Sequence, residues 1–570
     1  MPWKIEDSRA RIGRIAAAIP VIEISDLTRE MTLENVKLAK PKRITGVHSY
    51  IALANEQRLV DDLLDVDDHD AAKRAARLLH LYQRAVGRTA DAFGAARVHF
   101  QGSRLHSLTY RPFSDHAEIA ARTVAMALAV DLVIRHALSP ALEDEPDLTV
   151  AAGAAYGESV ATMSGSRGDS ELLFIGDPAN DGAKAIDLGC RLRVTDELLD
   201  LLDCDSLGID ATESDGRHAL AMSQEAIEDL AKRFKIDWTL DAATKTINDD
   251  AETITPDSVG IGKALAEIDK ERLSLSRCKL NQALTVFGDL DGFTAIVAAA
   301  MGNNDRLASL VRAFHIVRAE LRHVAVADYD PTLRVQYQGD RIQLLRHLPN
   351  DDPDMRALQT VKIAAAWNSS LTQTLPEVVD LDGLGIASGI ADGPTLISKL
   401  GARGNRDVVT VGPGVRRAER IQRNLDGGEI GVDGTTLERL PDDVQGLFEW
   451  RAGAQAHVCA ERDINDIELA LRAATYDAGE TQNVTTTATK VAVGVATAAL
   501  VGAAAKAARS EHGNRNGHNG GSGGHGGGQG GGHGGGGGGS HGGGGQGGGH
   551  GGGHGGGHGG DVVPGRRWAG

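Results

Sequence analysis

Apolar and polar residues alternate over ALTVFGDL at 283–290 and over LRVQYQGD at 333–340. Because successive side chains of a strand point to opposite faces, this period of two predicts strands. Other stretches space their apolar residues as a helix does, among them AEIAARTVAMALAVDLVIRHAL at 117–138 and MSQEAIEDLAKRF at 222–234. Strands separated by long helices predict an α+β fold in which the helices pack against a sheet.

Three landmarks occur twice in the chain, in the same order. The pairs are QGSRLHSLTYRP (101–112) with QGDRIQLLRHLP (338–349), GAAYGES (153–159) with GIADGPT (389–395), and FIGDPANDGAK (174–184) with TVGPGVRRAER (410–420). Gly153 and Gly176 are 23 residues apart, and so are Gly389 and Gly412. This equal spacing indicates two copies of one domain.

A chain of 570 residues is too long for one hydrophobic core. The pattern predicts a first copy at 1–205, a linker with helical pieces at 206–270, a second copy at 271–480, an Ala/Val-rich helical segment at 481–510 and a Gly/His-rich tail at 511–570. Glycine-dominated sequence buries no apolar surface, so we expect the tail to be disordered, with metal binding by its histidines as the alternative. The apolar run at 491–505 is shorter than a membrane span and predicts a packed or interfacial helix, with a tail anchor as the alternative.

Composition narrows the function classes. The formal net charge is −18 and no basic stripe offsets it, which argues against a nucleic-acid partner. The four cysteines form no zinc or disulfide spacing, as is usual in a reducing compartment. Charges interrupt the N-terminal sequence before a signal peptide could form, so we expect a cytoplasmic protein.

Two aspartates carry the strongest chemical signal. Asp289 ends an apolar strand and is followed by a turn at Gly292, and Asp340 lies in a second strand–turn segment. Either residue alone is more typical of a turn or a helix cap. Together, on adjacent strands, they predict a site for two Mg²⁺ or Mn²⁺ ions, which suits phosphoryl transfer.

These residues resemble a known family. FGDLDGFT at 287–294 resembles the first metal motif of class III adenylate and guanylate cyclases, F-x-D-L-x-G-F-T, and QGDR at 338–341 resembles their second metal turn. The resemblance implies two tandem ferredoxin-like domains that pair head to tail as an intramolecular pseudo-dimer, with a higher oligomer left open. It also implies a nucleoside triphosphate substrate and two Mn²⁺ or Mg²⁺ ions held by Asp289, Leu290 and Asp340.

The resemblance further implies that only one of the two possible sites is complete. Aligning ITGVHSY at 44–50 with FGDLDGF sets Gly46 opposite Asp289, and Ser103 stands opposite Asp340, so the first copy holds no metals. The first copy instead has Asn180 and Lys184 where the family has its catalytic Asn and Arg. Plainer alternatives are a helix cap for Asn180 and a surface lysine for Lys184.

In this family two positions select the base of the substrate. Here they match neither the residue pair that selects adenine nor the pair that selects guanine. The family implies His99 and Leu173 there, with Arg97 and Phe287 as further candidates for substrate binding. Arg97 has the alternative of a solvated charge at the rim. We therefore expect UTP or CTP to be cyclised, as in the pyrimidine cyclases of Pycsar anti-phage systems, whose cyclic UMP or cyclic CMP activates a separately encoded effector protein. The alternatives are an adenylate cyclase with an altered pocket and a catalytically silent nucleotide-binding or scaffold protein.

Overall fold

The computed structural model describes residues 2–142, 147–165, 170–186, 191–214, 216–379, 384–402, 406–460 and 462–477. The helical segment and the Gly/His tail expected beyond residue 480 lie outside these ranges. The strands are β1 (Ser25–Asp26), β2 (Lys42–Leu53), β3 (Ala96–Gln101), β4 (Arg104–Thr109), β5 (Val150–Ser164), β6 (Glu171–Ile175), β7 (Arg193–Val194), β8 (Ile209–Ser214), β9 (Arg217–Met222), β10 (Ile261–Gly262), β11 (Cys278–Asp291), β12 (Leu333–Gln338), β13 (Arg341–Arg346), β14 (Gly385–Leu400), β15 (Asp407–Val411), β16 (Ile430–Val432), β17 (Glu449–Arg451) and β18 (Ala456–Cys459).

The strands form two sheets with one topology. The first has the order β3-β4-β2-β5-β7-β9-β8 and the second has β12-β13-β11-β14-β16-β18-β17, each with two further strands at its margin. The α-helices of eight or more described residues are Ile5–Ala18, His69–Ala92, His116–Val133, Asp177–Ile186, Gln224–Arg233, Leu240–Thr253, Phe293–Ala300, Asn304–His323, Pro353–Ser369, Pro413–Gln422 and Ile464–Asp477. The α+β repeat expected from the landmarks is therefore present. No helix among the described residues has the length and apolar character needed to cross a membrane.

Strand registers align the two copies residue by residue. Phe287 on β11 lies opposite Gly389 on β14, and Tyr50 on β2 lies opposite Gly153 on β5. The two glycines are equivalent because each lets the following helix touch its strand, where a Cβ would collide with helix backbone. Tyr50 therefore corresponds to Phe287.

This register corrects the sequence alignment of the first metal motif. Two residues along the strand from Tyr50, Ala52 takes the place of Asp289. Setting Gly46 at that position was wrong by six residues, because alternation fixes which face a residue occupies and not which residue it pairs with. Ala52 also has no carboxylate, so the first copy still lacks this metal ligand.

The copies exchange strands between their cores. Val160, Leu173 and Ile175 on β5 and β6 of the first copy are buried in the core formed mainly by the second copy. Leu396, Leu400, Val409 and Val411 on β14 and β15 are buried in the core formed mainly by the first. The two halves therefore share their hydrophobic cores.

Matching polar contacts cross the interface in both directions. The backbone N–H of Tyr337 donates to Glu171 at 2.7 Å, and that of Phe100 donates to Asp407 at 2.7 Å. Glu171 and Asp407 occupy equivalent positions on β6 and β15. The copies are thus related by a pseudo-twofold axis in the head-to-tail arrangement that the resemblance implied.

The stretch 206–270 is more than a linker. Strands β8 and β9 continue the first sheet, and Ile227, Leu230 and Ile247 from the next two helices are buried in its core. The helix expected at 222–234 is present as Gln224–Arg233. The first copy therefore extends well past residue 205.

The N-terminal helix Ile5–Ala18 ties the first copy to the second. Arg11 donates to both carboxylate oxygens of Glu320 at 2.6 and 2.7 Å, and the Ser8 hydroxyl donates to the same carboxylate at 2.7 Å. The Glu320 side chain is fully buried. Its hydrogen bonds are therefore needed to offset the desolvation of its charge.

We expect Glu320→Ala to lower the free energy of unfolding by about 3–5 kcal/mol, because it leaves Arg11 buried without its main partner. Urea denaturation followed by circular dichroism measures this. The matched control is Glu377→Ala, which removes an exposed ion pair between the same helix and the second copy, Arg9 with Glu377 at 2.7 Å. That loss should stay below about 1 kcal/mol. Equal losses of unfolding free energy in the two variants would show that the buried ion pair does not contribute more than the exposed one to the contact between the helix and the second copy.

Candidate active site

Asp289 and Asp340 lie together at one edge of the second sheet. Gly288 on β11 pairs with Ile342 on β13, so Asp289 at the end of β11 reaches the β12–β13 turn that carries Asp340. Gly339 has a φ of +69°, a conformation that suits glycine in this tight turn. Burial and the nearby charge of Asp289 raise the pKa of Asp340 to about 7. Two carboxylates therefore share one low-dielectric corner.

Two neighbouring side chains, Gln422 and Arg341, orient the carboxylate of Asp289. Gln422 donates to Asp289 Oδ2 at 3.1 Å, and Arg341 Nε lies 3.8 Å from its Oδ1. Arg341 also donates to Glu419 at 3.1 Å. Burial opposes ionisation of Glu419, but Arg341 and Arg423 outweigh it and lower its pKa to about 2. The arginine is thus held by two acids.

This corner suits divalent metal ions. Asp289 and Asp340 line a cavity of about 470 Å³, and clustered carboxylate oxygens are the ligands that hard cations prefer. The Leu290 side chain is buried in the core, so this residue can offer only its backbone carbonyl. No group of three or more His, Cys, Asp or Glu side chains within the described ranges could hold a metal by itself. Two carboxylates completed by substrate oxygens are the usual set for Mg²⁺.

Asn180 and Lys184 lie on the helix Asp177–Ile186 of the first copy, Asn180 half-buried and Lys184 exposed. Their counterparts on the helix Pro413–Gln422 are Arg416 and Arg420. Arg416 lies 3.5 Å from Asp61 of the opposite copy, and both arginines line a cleft with Ala52, the counterpart of Asp289. The pseudo-twofold axis accordingly sets Asn180 and Lys184 across the interface from the end of β11, toward the Asp289–Asp340 corner.

Five rings from four strands meet in the first copy and form what we call the ring cluster. Tyr50 and His106 stack with their centroids 4.3 Å apart. His48 Nδ1 lies 3.0 Å from His106 Nε2, and Phe174 packs edge-on against His48 with their centroids 4.8 Å apart. His99 packs edge-on against His106 at 5.3 Å.

The ring cluster is uncharged at neutral pH. It lies close to the corner formed by Asp289 and Asp340, which we call the metal corner. Burial lowers the pKa of His48 to about 3 and that of His99 to about 4. Burial raises the pKa of Tyr50, while the charge of Arg104 lowers it and the negative charge of Asp340 from the opposite copy raises it. Tyr50 of the first copy and Asp340 of the second therefore lie within electrostatic reach of each other.

The other residues predicted to bind substrate occupy different surroundings from His99, which belongs to the ring cluster. Arg97 forms an ion pair with Asp407 of the opposite copy at 3.6 Å. Leu173 is buried in the second copy's core. Phe287, the counterpart of Tyr50, lines a separate cleft. The structure thus places Arg97 and Leu173 in the interface between the copies.

Sequence analysis missed Tyr50, His48, His106 and Phe174. A usable signal was present, since Asp289 precedes Asp340 by as many residues as Ala52 precedes Ser103. That spacing would have given the correct register and set Tyr50 and His106 opposite Phe287 and Gln343.

Known proteins are similar to this chain in sequence and in fold. The chain is 28% identical over 460 residues to a uridylate cyclase from Pseudomonas aeruginosa, which covers 78% of this chain and 88% of that protein. It is also 28% identical to a uridylate cyclase from Rhizobium sp., covering 77% of this chain and 88% of the relative. A solved structure described as a class III adenylyl cyclase-like ATP-binding protein from Pseudomonas aeruginosa matches 83% of this chain and all of its own, with 26% identity and a TM-score of 0.72.

The chain is thus similar in sequence and fold to class III cyclase-like proteins. No family model matches its sequence. The relatives and the paired α+β sheets support a nucleotidyl cyclase built as a tandem pseudo-dimer. In this cyclase-like chain one copy supplies the carboxylates and the other supplies the rings.

Proposed function

We propose that the chain converts UTP to 3′,5′-cyclic UMP and pyrophosphate at the interface between the metal corner and the ring cluster. The observation that carries the proposal is the ring cluster of the first copy, whose Tyr50 lies within electrostatic reach of Asp340. The uridylate cyclase names of two relatives support the choice of base. CTP is the second pyrimidine candidate.

In the proposed reaction the 3′ hydroxyl of the ribose gives up its proton to solvent and its oxygen attacks the α-phosphorus. The bond between this phosphorus and the oxygen that bridges to the β-phosphate breaks, and pyrophosphate leaves. Asp289, Asp340 and the Leu290 carbonyl would hold two Mg²⁺ or Mn²⁺ ions, which supply activation of the attacking oxygen and neutralisation of phosphate charge. Asn180 would orient the ribose, and Lys184 would place a positive charge on the phosphates.

The ring cluster favours a small base. At the equivalent positions the second copy has shorter or non-aromatic side chains, namely Thr285 for His48, Gln336 for His99, Gln343 for His106 and Thr410 for Phe174. Five packed rings leave less room than these side chains do, so a one-ring pyrimidine fits better than a two-ring purine. Neutral imidazoles can both donate and accept hydrogen bonds, which suits the uracil edge.

We expect kcat/KM for UTP to exceed that for ATP at least about tenfold at one Mn²⁺ concentration, which requires only about 1.4 kcal/mol. The measurement covers UTP, CTP, ATP and GTP. His106→Gln, which installs the second copy's residue, should reduce this ratio severalfold. The reciprocal variant Gln343→His changes the other copy and should leave the ratio as it is in the wild type.

A preference for ATP would contradict the pyrimidine proposal. It would favour an adenylate cyclase, which the description of the similar solved structure as ATP-binding supports. Equal effects of the two reciprocal variants would show that the ring cluster does not read the base.

We further propose that the cyclic nucleotide acts as a second messenger on a separately encoded effector protein in defence against phage. The resemblance to Pycsar pyrimidine cyclases supports this role. The variant Asp340→Ala tests this role in phage-challenged cells.

A further inference from the structure

The pseudo-twofold axis creates a second cleft, opposite in composition to the metal corner. It is lined by Ala52 and Arg104 of the first copy and by Phe287, Arg416 and Arg420 of the second, and has a volume of about 560 Å³. Pockets for small molecules commonly have volumes of 300–1,000 Å³. The second cleft is therefore large enough for a nucleotide.

The second cleft cannot bind metal as its counterpart can. Ala52 and Ser103 replace the two metal-binding aspartates. A single carboxylate, Glu56, lies at the turn, where it accepts hydrogen bonds from the Ser103 N–H at 3.0 Å and from the Ser103 hydroxyl at 2.8 Å. Glu56 is thus committed to closing the turn.

The opposite wall of the second cleft is positively charged. Arg416 pairs with Asp61 at 3.5 Å, while the Arg420 guanidinium, exposed on the same helix, forms no ion pair within the described part of the chain. Burial and the nearby Glu56 raise the pKa of Asp61, which reduces the negative charge that opposes the arginines of this wall. Arg420 occupies the position of the candidate phosphate-binding Lys184.

The far end of the second cleft can form hydrogen bonds. Gln343 donates to Thr410 at 2.7 Å, and Gln336 lies beside Gln343 on the neighbouring strand. These amides occupy the places that imidazole rings fill in the first copy, and an amide can donate to or accept from any base edge. The second cleft therefore has a polar end for a base and a cationic wall for a phosphate.

We infer that the second cleft binds a nucleoside monophosphate, cyclic or linear, without a metal ion. The arginines supply positive charge for a phosphate group. The bound triphosphate of a cyclase site shares its charge with divalent cations, for which this cleft lacks the paired carboxylates. Phe287 in this cleft and Asp289 in the metal corner lie two residues apart on β11, so the two clefts share a strand.

Isothermal titration calorimetry on the full chain in excess EDTA tests this inference. The probes are cyclic UMP, UMP, AMP and inorganic phosphate. We expect at least one monophosphate to bind at one site per chain and Arg420→Ala to weaken it about tenfold or more. The matched control is Lys184→Ala, which alters the equivalent residue of the other cleft and should leave the affinity unchanged. EDTA prevents turnover, so this result does not depend on which triphosphate the chain cyclises.

A second variant probes the base end of the cleft. Gln343→His introduces the ring that His106 provides in the other copy and should weaken nucleotide binding.

Loss of binding in Lys184→Ala with none in Arg420→Ala would overturn the inference, because the nucleotide would then occupy the metal-side cleft. Binding of inorganic phosphate as tightly as any nucleotide, or binding of none of the four probes, would overturn it as well.

Discussion

Asp340→Ala is expected to reduce cyclisation by at least about a thousandfold, equivalent to roughly 4 kcal/mol of transition-state stabilisation. Asp289→Ala should have a similar effect, because both carboxylates are needed to bind two metal ions together with the triphosphate. Both residues lie at a strand end or turn beside a cavity, so the loss of fold stability should be small. The measurements are kcat with UTP and the melting temperature.

The matched control is Asp291→Asn. Asp291 is exposed near the same cavity, but its carboxylate accepts hydrogen bonds from the Gly292 N–H at 2.8 Å and the Gly427 N–H at 3.3 Å. This variant should keep most of the activity. Activity near the wild-type level in Asp340→Ala would contradict the two-metal assignment, and no turnover by the wild-type chain would favour a silent binding module.

In phage-challenged cells Asp340→Ala should abolish both cyclic UMP and protection, and protection without cyclic UMP would exclude the signalling role.

Acid should destabilise the fold through the buried imidazoles of the ring cluster. Burial keeps His48 and His106 neutral in the folded chain, whereas each binds a proton in the unfolded chain below about pH 6.5. The unfolded state therefore gains protons as the pH falls, and stability declines from pH 6.5 toward the folded pKa, about 3 for His48. For His48 alone the full loss is on the order of 4 to 5 kcal/mol.

Urea denaturation at pH 7.5 and at pH 5.0 measures this decline. His48→Gln keeps a hydrogen-bonding side chain beside Ser159, which lies 3.0 Å from His48 Nε2, and should reduce the difference between the two pH values. The control His69→Gln alters an exposed histidine and should leave that difference unchanged. A difference that is the same in all three proteins would show that other groups set the acid sensitivity.

The tandem architecture could be predicted because its signals are local. The landmarks around Gly153 and Gly389 keep equal spacing, and each glycine lets a helix backbone approach its strand. The Asp289 and Asp340 motifs are short, and each lies at a strand end that alternation predicts. Close spacing and distinctive residue types are enough to find such features.

The domain boundary and the ring cluster could not be found in the same way. Strands β8 and β9 form the edge of the first sheet, where Ile209 and Leu220 are the only buried residues among those described, so their sequence resembles a linker. The rings come from β2, β3, β4 and β6, and only the backbone pairing brings them together. A one-residue error in that pairing would separate Tyr50 from His106.

Each half buries two of its strands in the core of the other half. This affects how the protein behaves at low copy number. A site assembled from two separate chains is lost on dilution, because association depends on the concentration of partners. Here the partner is covalently attached, and its effective concentration does not change with expression level. The pairing of the two copies therefore does not depend on the number of molecules in the cell.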